Sequence, residues 1–193
     1  MQDGELRDLH EGLAVWRAPA DFQSAVTALH RRTTPKVIFN NPRQKFLLDA
    51  WTLAKFAMRH TAVDQVKLAA PDDRWPDGYV SAAGAIKNVE VTIADMSGRK
   101  MGAEYKIDTD TRFEPDPVEN WVARADAIPE ALESAITKKI AKQYSSRAWL
   151  VVYLNLGEYG IRQQQTELVI AQTKLRHACS FEGLFVLWNG KLY

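Results

Sequence analysis

The sequence predicts an α/β protein, a mixed β-sheet covered by helices. Three observations predict it. Helix-period segments alternate with strand-length apolar runs along most of the chain. Two segments, Gly78 to Ala82 and Ile86 to Ala94, flank a turn at Ala83-Gly84, as the arms of a hairpin do. Two later runs, Trp149 to Asn155 and Phe181 to Trp188, are continuously apolar, the pattern of strands buried on both faces.

Each element has its own signal. Residues 1–20 are weakly patterned and read as an arm. Phe22, Ala25, Val26 and Leu29 follow helical spacing, with Asp21 as N-cap, and predict a short amphipathic helix over 21–32. Asn41-Pro42 is a cap followed by a first-turn proline. The helix it opens should run to about Arg59 and bury Phe46, Ala50, Leu53, Ala54 and Ala57. Residues 64–70 read as a strand, followed by a polar turn from Pro71 to Trp75 and then the hairpin. After a turn at Ser97-Gly98, Met101 to Ile107 reads as a fourth strand. Asp108 to Ala127 is acidic, contains Pro115 and Pro117, and reads as a long surface loop. Ile128 to Ser145 reads as a helix with Pro129 near its start, and 162–177 as another.

Composition narrows the class. The chain has 193 residues, enough for one domain with a real core. Hydrophobic residues make up 46%, so whole-chain disorder is excluded. Cys179 is the only cysteine, which excludes a disulfide scaffold. The best apolar run, Ala148 to Leu156, is about half the length a membrane helix needs. The polar start, MQDGELRDLHEG, is unlike a secretory signal, and we expect a bacterial-type cytoplasmic protein. A net charge of +1, from 25 basic and 24 acidic residues, argues against holding nucleic acid by global electrostatics. It leaves room for a local basic patch.

Three residues sit where a purely structural protein has no use for them. A turn centred between Ala83 and Gly84 sets Asp77 opposite Glu90, on one side of the hairpin, with Cβ atoms roughly 5 Å apart. Like charges there repel, and a divalent cation is the natural tenant: Mg²⁺ takes one or two carboxylates and fills its other positions with water and phosphate. Alternation puts Val89, Val91 and Ile93 on one face of the strand and Glu90, Thr92 and Ala94 on the other. On the later helix, at about 100° per residue, Ile128, Ala131, Leu132, Ala135 and Ile136 form an apolar stripe. Lys139 falls near the middle of that stripe and Gln143 one turn further on, whereas Lys138 lies off it and Lys142 toward its edge. A lysine in a core-facing stripe needs a partner, and the carboxylate pair offers one. Two carboxylates, a metal and a lysine make a site that cleaves phosphodiesters.

Pro76-Asp77 followed by Glu90-Val91-Thr92 resembles the signature of the PD-(D/E)XK nuclease superfamily, the restriction-endonuclease-like fold. The resemblance covers about 40 to 190 and implies a mixed sheet with one helix before the hairpin and another after it. It implies a Mg²⁺- or Mn²⁺-dependent DNA endonuclease with Asp77 and Glu90 as metal ligands. Thr92 stands where the superfamily carries its lysine; in some members that lysine migrates to the following helix, which Lys139 matches. The alternative is a catalytically inactive descendant that binds nucleic acid or protein. The resemblance also implies a homodimer, since many such nucleases pair to cut two strands. On this basis the chain divides into an arm with a short helix, 1–36, and a nuclease-like core, 37–193.

Other residues carry weaker signals than this set. Glu104-Tyr105-Lys106 is a literal E-x-K after the same Asp77, but it lacks the apolar flanks of Glu90. Asp49, beside the apolar face of the first long helix, is placed to supplement the metal site or to form a salt bridge. His10, His30, His60 and His177 lack metal-ligand spacing, and Cys179 reads as a buried thiol. Gln163-Gln164-Gln165 reads as a solvated first turn. Arg43, Lys45, Arg99, Lys100, Lys138 and Lys142 offer a basic track for DNA. Taken singly, Pro76-Asp77-Gly78 is turn chemistry, Glu90 a solvated strand residue and Lys139 a snorkelling lysine; in this order on these elements they read as a site.

Overall fold

A computed structural model describes residues 3–33, 38, 41, 44–98, 118–143, 147–158 and 160–193. Among these are helices α1 (Asp3–Leu13), α2 (Pro19–His30), α3 (Phe46–Ala57), α4 (Val118–Ile140) and α5 (Gln163–Arg176). The strands are β1 (Val63–Leu68), β2 (Gly78–Ala82), β3 (Ala85–Ala94), β4 (Trp149–Leu154), β5 (Gly183–Trp188) and β6 (Lys191–Leu192). The class is mixed α/β, with six strands in one sheet in sequential order, β1 to β6.

The hairpin sets the register of the sheet. Ala83 and Gly84 both take positive φ, 49° and 78°, the geometry of a two-residue turn matched to strand twist. Pairing runs from Ala82 opposite Ala85 out to Gly78 opposite Val89. One step further outward lies Asp77 beside Glu90. β1 joins β2 antiparallel, whereas β3, β4 and β5 run parallel. Parallel neighbours need crossovers, and α4 and α5 supply them. β6 closes the sheet antiparallel through a turn at Asn189-Gly190, a two-residue strand too short to leave a sequence signal.

Alternation along the strands splits the core in two. Val89, Val91, Val151 and Leu187 pack with Phe22, Val26, Leu53 and Phe56 of α2 and α3. Ala94, Leu150, Val152, Val186 and Trp188 pack on the opposite face with Ile128, Leu132 and Ile136 of α4 and Ile170 of α5. The sheet is therefore the middle of three layers.

Several expectations are corrected. The arm expected over 1–20 is helical and packs on the sheet: α1 buries Leu6 and Leu13, and Arg17 exchanges two backbone hydrogen bonds with Val66 of β1, at 3.1 and 2.9 Å. The weak pattern of 1–20 reflects a helix that buries only one narrow edge. The loop expected over 108–127 is helical from Val118 onward, and Pro129 lies inside α4 rather than at its start. An internal proline removes one intrahelical hydrogen bond; the buried stripe from Ile128 to Ile136 offsets that loss. The helix ends at Ile140 rather than Ser145, and Gln143, expected on the stripe, lies past it at φ 46° and is exposed. The strand expected over Met101 to Ile107, together with Glu104, Lys106, Arg43, Arg99 and Lys100, lies outside the described residues. No helix among the described residues is long and apolar enough to cross a membrane.

Candidate functional site

Asp77 is positioned by the backbone on both sides of it. Its carbonyl accepts the Ala69 amide at 3.2 Å, tying it to the end of β1. The next residue, Gly78, is crowded: a Cβ there would lie 2.6 Å from Leu53 Cδ2 and 2.8 Å from the Lys67 carbonyl oxygen. The absence of a side chain lets β2 press against both α3 and β1. The Asp77 carboxylate then reaches across the hairpin, where its Oδ2 accepts the Val91 amide at 2.8 Å. Asp77 Oδ1 accepts no hydrogen bond among the described residues.

Glu90 lies within β3, between β2 and β4, with its side chain 3% exposed. It shares its strand face with Ala94, which packs under α4. Lys139, near the C-terminal end of α4, brings its ammonium down onto that face. Its Nζ donates to Glu90 Oε2 at 2.5 Å and to Asp77 Oδ2 at 3.3 Å. The Lys139 side chain is 11% exposed and that of Asp77 26%, so the cluster is closed below and open beside Asp77. Burial by itself lowers the Lys139 pKa, but Asp77 and Glu90 outweigh it, and the pKa is raised from its ordinary 10.5.

A fourth group belongs to this cluster. Asp49, from the first turn of α3, is pushed up from 3.8 to about 7. Burial is the largest cause, the Asp77 charge adds to it, Lys45 and Lys139 oppose it, and Glu90 adds a little more. No hydrogen bond or ion pair reaches its carboxylate among the described residues, so the salt bridge weighed for it is not formed there. Asp49 therefore exchanges a proton near neutrality beside two carboxylates and one ammonium. With Asp49 ionised, three carboxylates face the ammonium groups of Lys45 and Lys139.

The donor set fits Mg²⁺ or Mn²⁺. It is made only of carboxylate oxygens, and one or two of these are enough for Mg²⁺, whose other positions go to water and phosphate. Among the described residues no group of three or more His, Cys, Asp or Glu side chains is placed to hold a metal ion, so any ion there would rest on the Asp77–Glu90 pair alone.

The other weighed residues stand apart. His10 and His30 hydrogen-bond the carbonyls of Ala69 and Leu47, and His177 pairs with Glu133. Cys179 is exposed, not buried as its residue type suggests, because it sits in the turns after α5. The three glutamines form an exposed first turn of α5. Lys138 and Lys142 are exposed beside Lys139, and Lys45 is exposed near Asp49. Sequence reasoning missed the Val91 amide as the anchor of Asp77, because a backbone donor leaves no residue-type signal.

No protein-family model, curated protein or solved structure matches this chain.

Proposed function

We propose that the chain is a Mg²⁺-dependent DNA endonuclease of the cytoplasm, with Mn²⁺ able to serve, built on a restriction-endonuclease-like core. One observation carries this reading: Lys139, from a helix far along the chain, bonds both carboxylates of the hairpin in a partly open cluster. The element order supports it, with α3 before the hairpin and α4 after it.

Asp77 and Glu90 would hold the ion, which when bound activates water and neutralises the scissile phosphate. The Val91 amide holds the Asp77 carboxylate across the hairpin, beside Glu90. Lys139 supplies the fixed positive charge that Thr92 lacks, and it stabilises charge developing on the phosphoryl oxygens. Asp49, with its pKa raised to about 7, is partly ionised near neutrality, and the ionised carboxylate would accept a proton from the attacking water. Lys138 and Lys142 line the approach for a DNA backbone. As the resemblance implies, two copies acting together would cut both strands.

A second reading rests on the same contact. Because Lys139 already neutralises much of the carboxylate charge, the cluster stands without a metal, as it would in a nuclease-like module that binds DNA or protein without cutting.

Supercoiled plasmid incubated with the wild type and with Glu90→Gln, in Mg²⁺, Mn²⁺ or EDTA, separates these readings. The proposal expects nicking by the wild type only, and only with metal. DNA retained without nicking under either ion would overturn it in favour of the binding module.

A further inference from the structure

A second site lies on the other face of the sheet, toward the other end of β4. Glu90 pairs with Leu150 near the start of that strand. Past its end, α3, β4, β5 and the β5–β6 turn enclose a cleft of about 410 Å³. The cleft sits at the carboxyl ends of two parallel strands. Its volume falls in the ordinary range for small-molecule sites.

Its walls carry a specific chemistry. Trp51 of α3 and Tyr153 of β4 meet edge to face, with ring centroids 4.9 Å apart. One helical turn from Trp51, the Lys55 ammonium lies 5.6 Å from the indole centroid. One turn further, Arg59 donates to the carbonyls of Lys55 and Gly190, at 3.1 and 2.5 Å, which fixes its guanidinium against the β5–β6 turn. Neither cation forms an ion pair among the described residues. The Trp51 indole N–H and the Tyr153 hydroxyl make no hydrogen bond there either. The nearby carboxylate, Asp95, is occupied by Asn155 and by the Met96 amide, at 3.1 and 2.9 Å.

Two cations with no ion pair among the described residues, beside two aromatic rings whose donors make no hydrogen bond there, describe an anion attached to a planar ring. Inorganic phosphate would leave the rings unused, and a neutral aromatic would leave the cations unused. We propose that this cleft binds a nucleotide, its base against Trp51 and Tyr153 and its phosphate between Lys55 and Arg59. Base–aromatic stacking and phosphate pairing both act without regard to sequence. The nucleotide is either free or one unit of a single strand. The proposal does not rest on the nuclease reading, and no metal takes part.

Calorimetric titration of the full chain in EDTA tests it. The probes are dAMP, deoxyadenosine, inorganic phosphate and a short oligothymidylate. The proposal expects dAMP to bind at least about tenfold more tightly than either fragment, a difference of about 1.4 kcal/mol. A free-nucleotide site favours dAMP over the oligonucleotide, and a strand-binding site reverses that order. Lys55→Gln should weaken dAMP by about tenfold and lower the salt dependence of binding. Tyr153→Phe, which removes only a hydroxyl, should weaken dAMP by several-fold with the fold intact by circular dichroism. No binding of dAMP or oligonucleotide to the wild type, or equal binding by Lys55→Gln, overturns the proposal.

Discussion

Replacing Lys139 with Met removes the ammonium and keeps most of the side-chain volume. At an effective dielectric of about 20, the contacts at 2.5 and 3.3 Å correspond to about 7 and 5 kcal/mol of attraction. Most of that attraction only offsets the loss of water around Glu90, whose side chain is 3% exposed. Once the lysine is gone, the desolvation remains and the attraction does not. Breaking a buried pair in this way costs about 3–5 kcal/mol. The Arg7–Asp72 pair has the same 2.5 Å separation, but its side chains are 55% and 75% exposed, and its removal should leave stability unchanged. Urea denaturation followed by circular dichroism measures both. Glu90→Gln added to Lys139→Met should recover about 2 kcal/mol or more, since the buried charge that Lys139 faced goes too. A loss below about 1 kcal/mol for Lys139→Met, or purely additive effects in the double variant, would refute the buried-cluster reasoning.

Two further outcomes follow from the same residues. Asp49 titrates at about 7 in the folded chain against 3.8 ordinarily, so between those values the folded state binds the extra proton. Stability therefore falls as pH rises through that window, and Asp49→Asn should remove the fall: equal to wild type near pH 4, more stable near pH 8, by denaturation at each pH. A pH-independent difference would contradict the assignment. Gly78→Ala forces a Cβ against the Lys67 carbonyl at 2.8 Å, and that backbone has no room to yield. It should cost about 1–3 kcal/mol, lowering the melting temperature by at least about 2 °C in a thermal scan.

The parts of the fold legible in the sequence were those set by short-range rules. Ala83-Gly84 fixed the hairpin register, because a two-residue turn leaves no freedom to slip, and Asp77 and Glu90 followed from it. The stripe from Ile128 to Ile136 pointed Lys139 at the sheet, because helix geometry is rigid over three turns. What was not legible depends on distant partners. The first ten residues of α4 read as a loop because Pro129 looks like a helix start when the sheet it packs on is unseen. Arg17 joins β1 through backbone groups alone, which no residue type announces. The Asp49 proton belongs to the same class, since its raised pKa comes from burial and the Asp77 charge brought together by folding. The Trp51–Tyr153 cleft likewise unites residues about a hundred positions apart.

The most direct test of the central claim is a Mn²⁺ titration of the wild type and of Asp77→Asn, followed by electron paramagnetic resonance. Asp77→Asn keeps the side-chain shape and removes one ligand charge. The account predicts saturable Mn²⁺ binding by the wild type, displaced by Mg²⁺ and lost in the variant. No binding by the wild type, or equal binding by both proteins, would contradict it and leave Lys139, Asp77 and Glu90 as a structural ion cluster.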